Sequence, residues 1–214
     1  MLSVYTHEDV LAVIELYKDL TWTTEIQNLL SEKAERIFNG HRIRKYGAYV
    51  EITNGFPPLL GKSVDEVFKY DLSRLNALQT VSRLHRFNSW DEVENYPTKQ
   101  LDKTFEEAVD LLVVGDMDGL TQLLRADPKL VHQQSAYPHQ ATLLHYCANN
   151  GVETERQRVP QNLVEVVNVL IDAGADKQAK MKVYQSEYTP YELAATSTHV
   201  KAAGLEKALL KALK

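Results

Sequence analysis

The chain has 214 residues, 44% hydrophobic and 25% charged, which is ordinary for a soluble globular protein and long enough to bury a core without metal or disulfide staples. Its formal net charge of -5 is evenly spread, with 12 Lys+Arg against 14 Asp+Glu in residues 1–100 and 12 against 15 in residues 101–214. Neither half offers the basic surface that a nucleic acid or an anionic membrane requires, and the single cysteine, Cys147, excludes an internal disulfide and a multi-cysteine zinc site.

The amino-terminal residues lack a basic and then apolar leader, so no secretory signal is expected. No apolar run approaches the roughly 18–20 residues that span a bilayer, and the cytoplasm is the expected compartment. The first helix is predicted after Thr6 as N-cap, with Asp9 in the capping-box position and Val10, Val13, Ile14 and Tyr17 at helical spacing. A second helix is predicted over residues 24–38, with Ile26, Leu29, Leu30, Ala34, Ile37 and Phe38 as its apolar stripe and Asn39-Gly40 as its stop. The basic run His41-Arg42-Ile43-Arg44-Lys45 reads as a cover for the helix exit or a set of partners for nearby acids. Residues 46–54 favour extended structure through Tyr49, Val50, Ile52 and Thr53, and Gly55-Phe56-Pro57-Pro58 breaks them. Helical signals resume at Ser63, whose capping box with Glu66 precedes Val67 and Phe68. Ser73 caps a further helix with Leu75, Leu78, Val81 and Leu84 facing inward, and Ser89 opens a short one that ends before Pro97. Residues 97–103, polar and punctuated by proline, are the linker candidate.

Self-similarity appears from Phe105 onward. Thr142-Leu143-Leu144-His145-Tyr146-Cys147-Ala148 resembles the ankyrin signature T-P-L-H-x-A and runs on to a glycine, Gly151. Residues 164–176 resemble the second ankyrin helix with its exit at Gly174-Ala175-Asp176, and Thr189-Pro190-Tyr191-Glu192-Leu193-Ala194-Ala195 begins a further copy. A degenerate copy runs from Phe105 to Val131. The physical reasons are plain. Threonine caps a helix, proline at N1 needs no amide donor, and glycine relieves the positive φ of the exit turn. Thr142 and Thr189 are 47 residues apart, against an ankyrin period of about 33. Most of the excess falls in residues 152–162, an insertion between the paired helices of the middle repeat. The chain is also similar, more loosely, to bacterial ankyrin-repeat proteins in Leu84-His85-Arg86-Phe87-Asn88-Ser89-Trp90, in residues 138–146 and in Ala195-Thr196-Ser197-Thr198-His199.

The fold class expected is mainly all-α. An irregular ankyrin-type helix-pair solenoid over residues 104–214 (repeats at about 104–135, 136–180 and 181–214) is capped by a helical region at 1–100 with at most a small β element. Phe87 and Trp90 are the packing candidates for the junction. Thr142, His145, Gly151, Gly174, Thr189 and Pro190 form the structural signature of the repeats.

Few residues carry a pattern that chemistry demands. The resemblance implies that His145 bonds neighbouring backbone, the competing role being a base or metal ligand. Cys147, at i+2 from His145, points elsewhere on a helix and reads as a packed thiol. His132, His139, His145 and His199 share the repeat half without a metal-ligand spacing. Asp116-Met117-Asp118-Gly119 echoes a calcium loop but lacks the later ligands, and no phosphate-binding glycine loop exists. No catalytic residue, metal or cofactor is therefore assigned. The expected function is an adaptor, monomeric or a weak dimer, that binds another protein and neither nucleic acid nor membrane. Residues 134–141 and 178–188 are its predicted hairpin tips, and the insertion is a further contact. The candidate partner-binding residues are Tyr137, His139, Glu153, Arg156, Gln157, Tyr184 and Tyr188. The alternative is an enzyme or a metal or small-ligand site near His139, His145 and Glu153, or an activity carried by residues 1–100.

Overall fold

The computed structural model describes residues 3–214, which are mostly helical, with thirteen α-helices and two small two-stranded sheets among them. No helix among the described residues is long and apolar enough to cross a membrane. The chain divides into two compact units: one spans Glu8–Leu101, and the other joins residues 3–7 to Asp102–Lys214. The first strand, β1 (Val4–Tyr5), thus belongs to the carboxy-terminal unit.

The unit Glu8–Leu101 is built from α1 (Glu8–Leu16), α2 (Ile26–Arg42), α3 (Tyr46–Gly55), α4 (Val64–Lys69), α5 (Arg74–Leu84) and α6 (Trp90–Asn95). α3 packs on α1, α2 and α5 and is the central helix of this unit. It lies where the sequence favours extended structure, and the reason is packing. Gly47, Ala48, Glu51, Ile52 and Gly55 are buried at spacings of one helical face, Val50 is buried beside it, and its glycines admit neighbouring backbones. A Cβ on Gly47 would lie 2.2 Å from the carbonyl oxygen of Ala12 in α1. A Cβ on Gly55 would lie 2.7 Å from the carbonyl oxygen of Thr80 in α5. Tertiary burial overrides the β preference of Tyr49, Val50, Ile52 and Thr53.

Gly40 is a packing residue as well and does not stop α2, which continues to Arg42. A Cβ there would meet Leu16 Cδ1 at 2.8 Å and Ala48 Cβ at 3.0 Å. The chain turns instead at Arg44, with φ of 56°. Ser63 and Ser73 each cap their helices in reciprocal boxes, with Glu66 and Asn76. Leu75, expected inside, is 65% exposed, and the buried face of α5 is Ala77, Thr80, Val81 and Ser82. Thr80 and Ser82 are tolerated there because each hydroxyl donates to the carbonyl four residues earlier, at 2.7 Å. Phe87 is buried edge-on against Tyr96, and Trp90 donates its indole N–H to Glu94, so both are engaged within this unit. The expected linker is partly ordered: Ile26 N–H donates to Lys99 O, and Leu101 N–H to Thr24 O.

Replacing Gly47 with Ala tests the close crossing of α1 and α3. Helix propensity alone favours alanine by up to about 1 kcal/mol. The clash is expected to win, with a net loss of about 1–3 kcal/mol in urea denaturation. A variant more stable than the wild type would contradict this packing.

The second unit begins its helices with α7 (Lys103–Val114), capped by the Asp102 carboxylate and closed by Gly115 at φ 76°. α8 (Met117–Ala126) follows, capped by Asp116, then a 3-10 turn at Pro128–His132. α9 (Leu143–Cys147) packs against α7, against α10 (Leu163–Asp172) and against α11 (Pro190–Thr196). Between α9 and α10 lies β2 (Val159–Pro160), which pairs antiparallel with β1. Before α11, β3 (Met181–Val183) and β4 (Ser186–Tyr188) form a hairpin. α12 (Thr198–Ala202) and α13 (Glu206–Leu213) end the chain, with α13 packed on α10 and α11. The paired helices α7/α8, α9/α10 and α11/α13 therefore lie in succession, α9 between α7 and α11. One buried core runs through them, from Phe105 and Leu112 through Leu143, Leu144 and Tyr146 to Val166, Leu170 and Leu209.

Candidate functional site

Two surroundings hold the candidate residues, one sealed and one open. The sealed one starts with α7, whose apolar stripe Phe105, Ala108, Val109 and Leu112 turns inward and carries Glu106 with it. Glu106 is 3% exposed, and its Oε2 accepts a hydrogen bond from Arg156 Nη1 at 2.5 Å. Arg156 Nη2 lies 3.2 Å from Asp110 Oδ1, one turn further along α7, so the guanidinium clamps the insertion to this helix. Its plane also lies over the Tyr146 ring, 5.8 Å from the centroid. On the other side His139 Nδ1 accepts from the Ala141 N–H at 3.0 Å. That bond leaves Nε2 as the protonated nitrogen, directed at Glu153 Oε1 at 3.3 Å. The Tyr146 hydroxyl approaches the same oxygen at 3.4 Å.

The Arg156 charge thus acts on two buried carboxylates, Glu106 by direct contact and Glu153 through space. Burial pushes the Glu106 carboxyl above the usual carboxylate range, against the pull of Arg156 and with the help of the Glu153 charge. Burial also lifts the Tyr146 and Tyr137 hydroxyls well above the ordinary tyrosine value, and the carboxylates add to the rise. Burial works against the charge of Arg156, but Glu106 and Glu153 outweigh it and hold the guanidinium protonated. Glu106 Oε1 is buried and accepts no hydrogen bond from the described residues.

The insertion is consequently no free loop. It folds as a 3-10 turn at Thr154–Arg156 and then as β2, with Gln161 N–H bonded to Ser3 O at 2.9 Å. Gln157 is half-buried and donates to Val152 O at 2.8 Å. Of the residues proposed for partner binding, Tyr137, His139 and Glu153 are buried, at 2%, 1% and 5% exposure, and cannot meet a docking protein. Arg156 is 12% exposed at its side chain and committed to acids of its own unit. These four places were expected at a surface because loops between helices usually lie there. Here the insertion turns inward because Arg156 finds Glu106, a residue with no sequence signal to separate it from its neighbour Glu107.

His145 sits apart from that centre. Its Nδ1 accepts from the Thr142 N–H at 3.1 Å, and its Nε2 donates to Tyr188 O at 3.1 Å. One imidazole therefore closes the start of α9 and ties it to the hairpin strand β4. Burial pulls its pKa down from 6.5 to about 4, so the ring is neutral at pH 7. His139 and His145 face different partners and do not converge on one point. Among the described residues, no group of three or more His, Cys, Asp or Glu side chains is placed to hold a metal ion. Cys147 is buried, and burial pushes its thiol up to about 12, which leaves almost no thiolate.

The open surrounding is the β3–β4 hairpin. Lys182 N–H donates to His139 O at 2.8 Å, which docks β3 against the preceding loop. Val183 and Ser186 pair across a two-residue turn whose first residue, Tyr184, has φ of 55°. That turn turns Tyr184 outward, and at 73% exposure it is the most exposed large apolar side chain among the described residues. Tyr188 is half-buried, and its carbonyl is the acceptor for His145. Thr189 caps α11 in a reciprocal box with Glu192, with Pro190 at the first helical position. Gly151 and Gly174 have φ of 78° and 100°, a region that side chains with a Cβ avoid.

No family model, no curated protein and no solved structure matches this chain.

Proposed function

We propose that the protein is an adaptor of the ankyrin type, which binds another protein through the β3–β4 hairpin. The observation that carries this reading is Tyr184, an aromatic side chain held out at a two-residue tip at 73% exposure. Exposed tyrosine offers a large contact area with a polar end at low entropic cost. Three successive helix pairs support the ankyrin assignment, as does the bonding of His145 to Thr142 and Tyr188. The dense cluster of ionisable groups around Glu106 and Arg156 is largely buried and reads as a brace for the insertion. Its residues are too deeply covered for a substrate to reach them.

The test is affinity capture from native lysate with the whole chain and with a Tyr184→Ser variant. The variant is expected to melt within about 0.5 kcal/mol of the wild type, because the side chain is exposed. Loss of a captured protein at unchanged stability supports the reading. Identical captures from both chains contradict it.

A further inference from the structure

The unit Glu8–Leu101 carries an open cleft of about 390 Å³ at the carboxy-terminal end of α2. Its apolar wall is Phe38, Phe68, Tyr70 and Leu72, and its cationic rim is Arg42 and Arg44. His41 Nε2 bonds to Val67 O at 2.8 Å and fixes α2 to α4, so the two walls are held at a set distance. Each rim guanidinium is laid over a ring: Arg42 is 5.8 Å from the Phe38 centroid, and Arg44 is 5.0 Å from that of Phe68. Stacking fixes the plane of a guanidinium and leaves its N–H edges for a planar carboxylate. Arg42 is exposed and has no carboxylate partner among the described residues. Arg44 meets Asp65 at 3.3 Å, with both side chains more than half exposed, a weak pair that an incoming carboxylate can exchange. Arg44 also holds φ of 56°, a conformation that costs a residue with a Cβ and that glycine would take freely.

We infer that this cleft binds a short acidic peptide segment of a partner protein, with an aromatic side chain seated between Phe38, Phe68 and Tyr70 and flanking carboxylates on Arg42 and Arg44. The volume suits one or two side chains, not a folded domain. A phosphate backbone fits less well. Its charge repeats at every step and would also face Asp71 in the cleft and Asp65 beside it. A peptide can place its acids opposite the two arginines alone.

The experiment is fluorescence anisotropy of the full chain with a fluorescein-labelled peptide in which Glu and Asp flank a single Trp. Saturable binding that weakens about tenfold or more in Arg42→Glu, and that falls with added salt, is expected. The peptide with Gln and Asn in place of its acids should lose binding to a similar degree. Arg42 is exposed, so the variant should unfold within about 1 kcal/mol of the wild type, the loss coming from the helix end and the Phe38 contact. Tyr184→Ser should leave this binding unchanged, which separates the cleft from the hairpin. The inference is overturned by no binding, by equal binding to the uncharged peptide, or by equal binding to Arg42→Glu. It is also overturned if an oligonucleotide competes more tightly than the acidic peptide. Sedimentation that shows a dimer lost in Arg42→Glu would assign the cleft to a second copy instead.

Discussion

Replacing Arg156 with Met is expected to lower stability by about 3–5 kcal/mol near neutral pH, the loss typical when one partner of a buried ion pair is removed. The guanidinium bonds Glu106, which is 3% exposed, and no other described cation bridges the insertion to α7. Without it the charges of Glu106 and Glu153, both buried, repel each other uncompensated. Their charges are then relieved only by taking up a proton or by unfolding. The sign of the pH dependence follows from Glu106, whose folded pKa is already raised by burial. Losing Arg156 raises it further, so the folded variant gains a proton that the unfolded chain does not yet hold. That contribution is fully present below the unfolded carboxylate value and is lost as pH rises through the folded one. The deficit against the wild type should therefore shrink as pH falls from about 7 to about 5. Adding Glu106→Gln should restore more than about half of the loss, since the orphaned charge is then gone. Urea denaturation across this pH range measures both effects. A deficit under about 1 kcal/mol, or one that grows in acid, would contradict the brace.

Replacing His145 with Ala should cost about 2–4 kcal/mol. It strands the Thr142 N–H and the Tyr188 carbonyl in a core where the imidazole is fully buried, and it leaves a cavity. Here too the pH dependence has a definite sign. The folded pKa is depressed from 6.5 to about 4, so the unfolded chain takes up this proton first. The stability that His145 contributes is complete above pH 6.5 and is lost as pH falls toward 4. Each pH unit inside that window removes about 1.4 kcal/mol. The gap between wild type and variant should close by about 2 kcal/mol from pH 6.5 to about pH 5. A gap that stays constant would mean that the ring is not held neutral.

What could be read from the sequence was local. Ser63 with Glu66, and Thr189 with Glu192 and Pro190, are capping devices confined to a few consecutive residues, and each forms in the structure. The resemblance implied that His145 bonds neighbouring backbone, and it accepts from the Thr142 N–H three residues away. Residues 46–55 were not legible, because their helical form is decided by α1 and α5 and their β-branched and aromatic composition points the other way. Gly40 looked like a stop and is a contact, a distinction that only the neighbouring Leu16 and Ala48 can make. The strand pair Val4–Tyr5 with Val159–Pro160 joins segments far apart in the chain, and neither segment is long enough to show a period. Of the candidate site, the exposed Tyr184 follows from a local turn, whereas the burial of Tyr137, His139, Glu153 and Arg156 depends on Glu106 in another helix. Polar residues in an insertion read as solvated unless the opposing charge is known.

In the proposed reading the hairpin tip recognises a partner while the buried charges hold the fold. The direct measurement is a binding isotherm for the captured partner with three chains: wild type, Tyr184→Ser, and Arg156→Met combined with Glu106→Gln. The predicted result is a dissociation of effects, with affinity falling about tenfold or more for Tyr184→Ser at unchanged stability, and stability falling for the double variant at unchanged affinity. The opposite pattern, affinity lost with the buried pair and kept without Tyr184, would contradict the account.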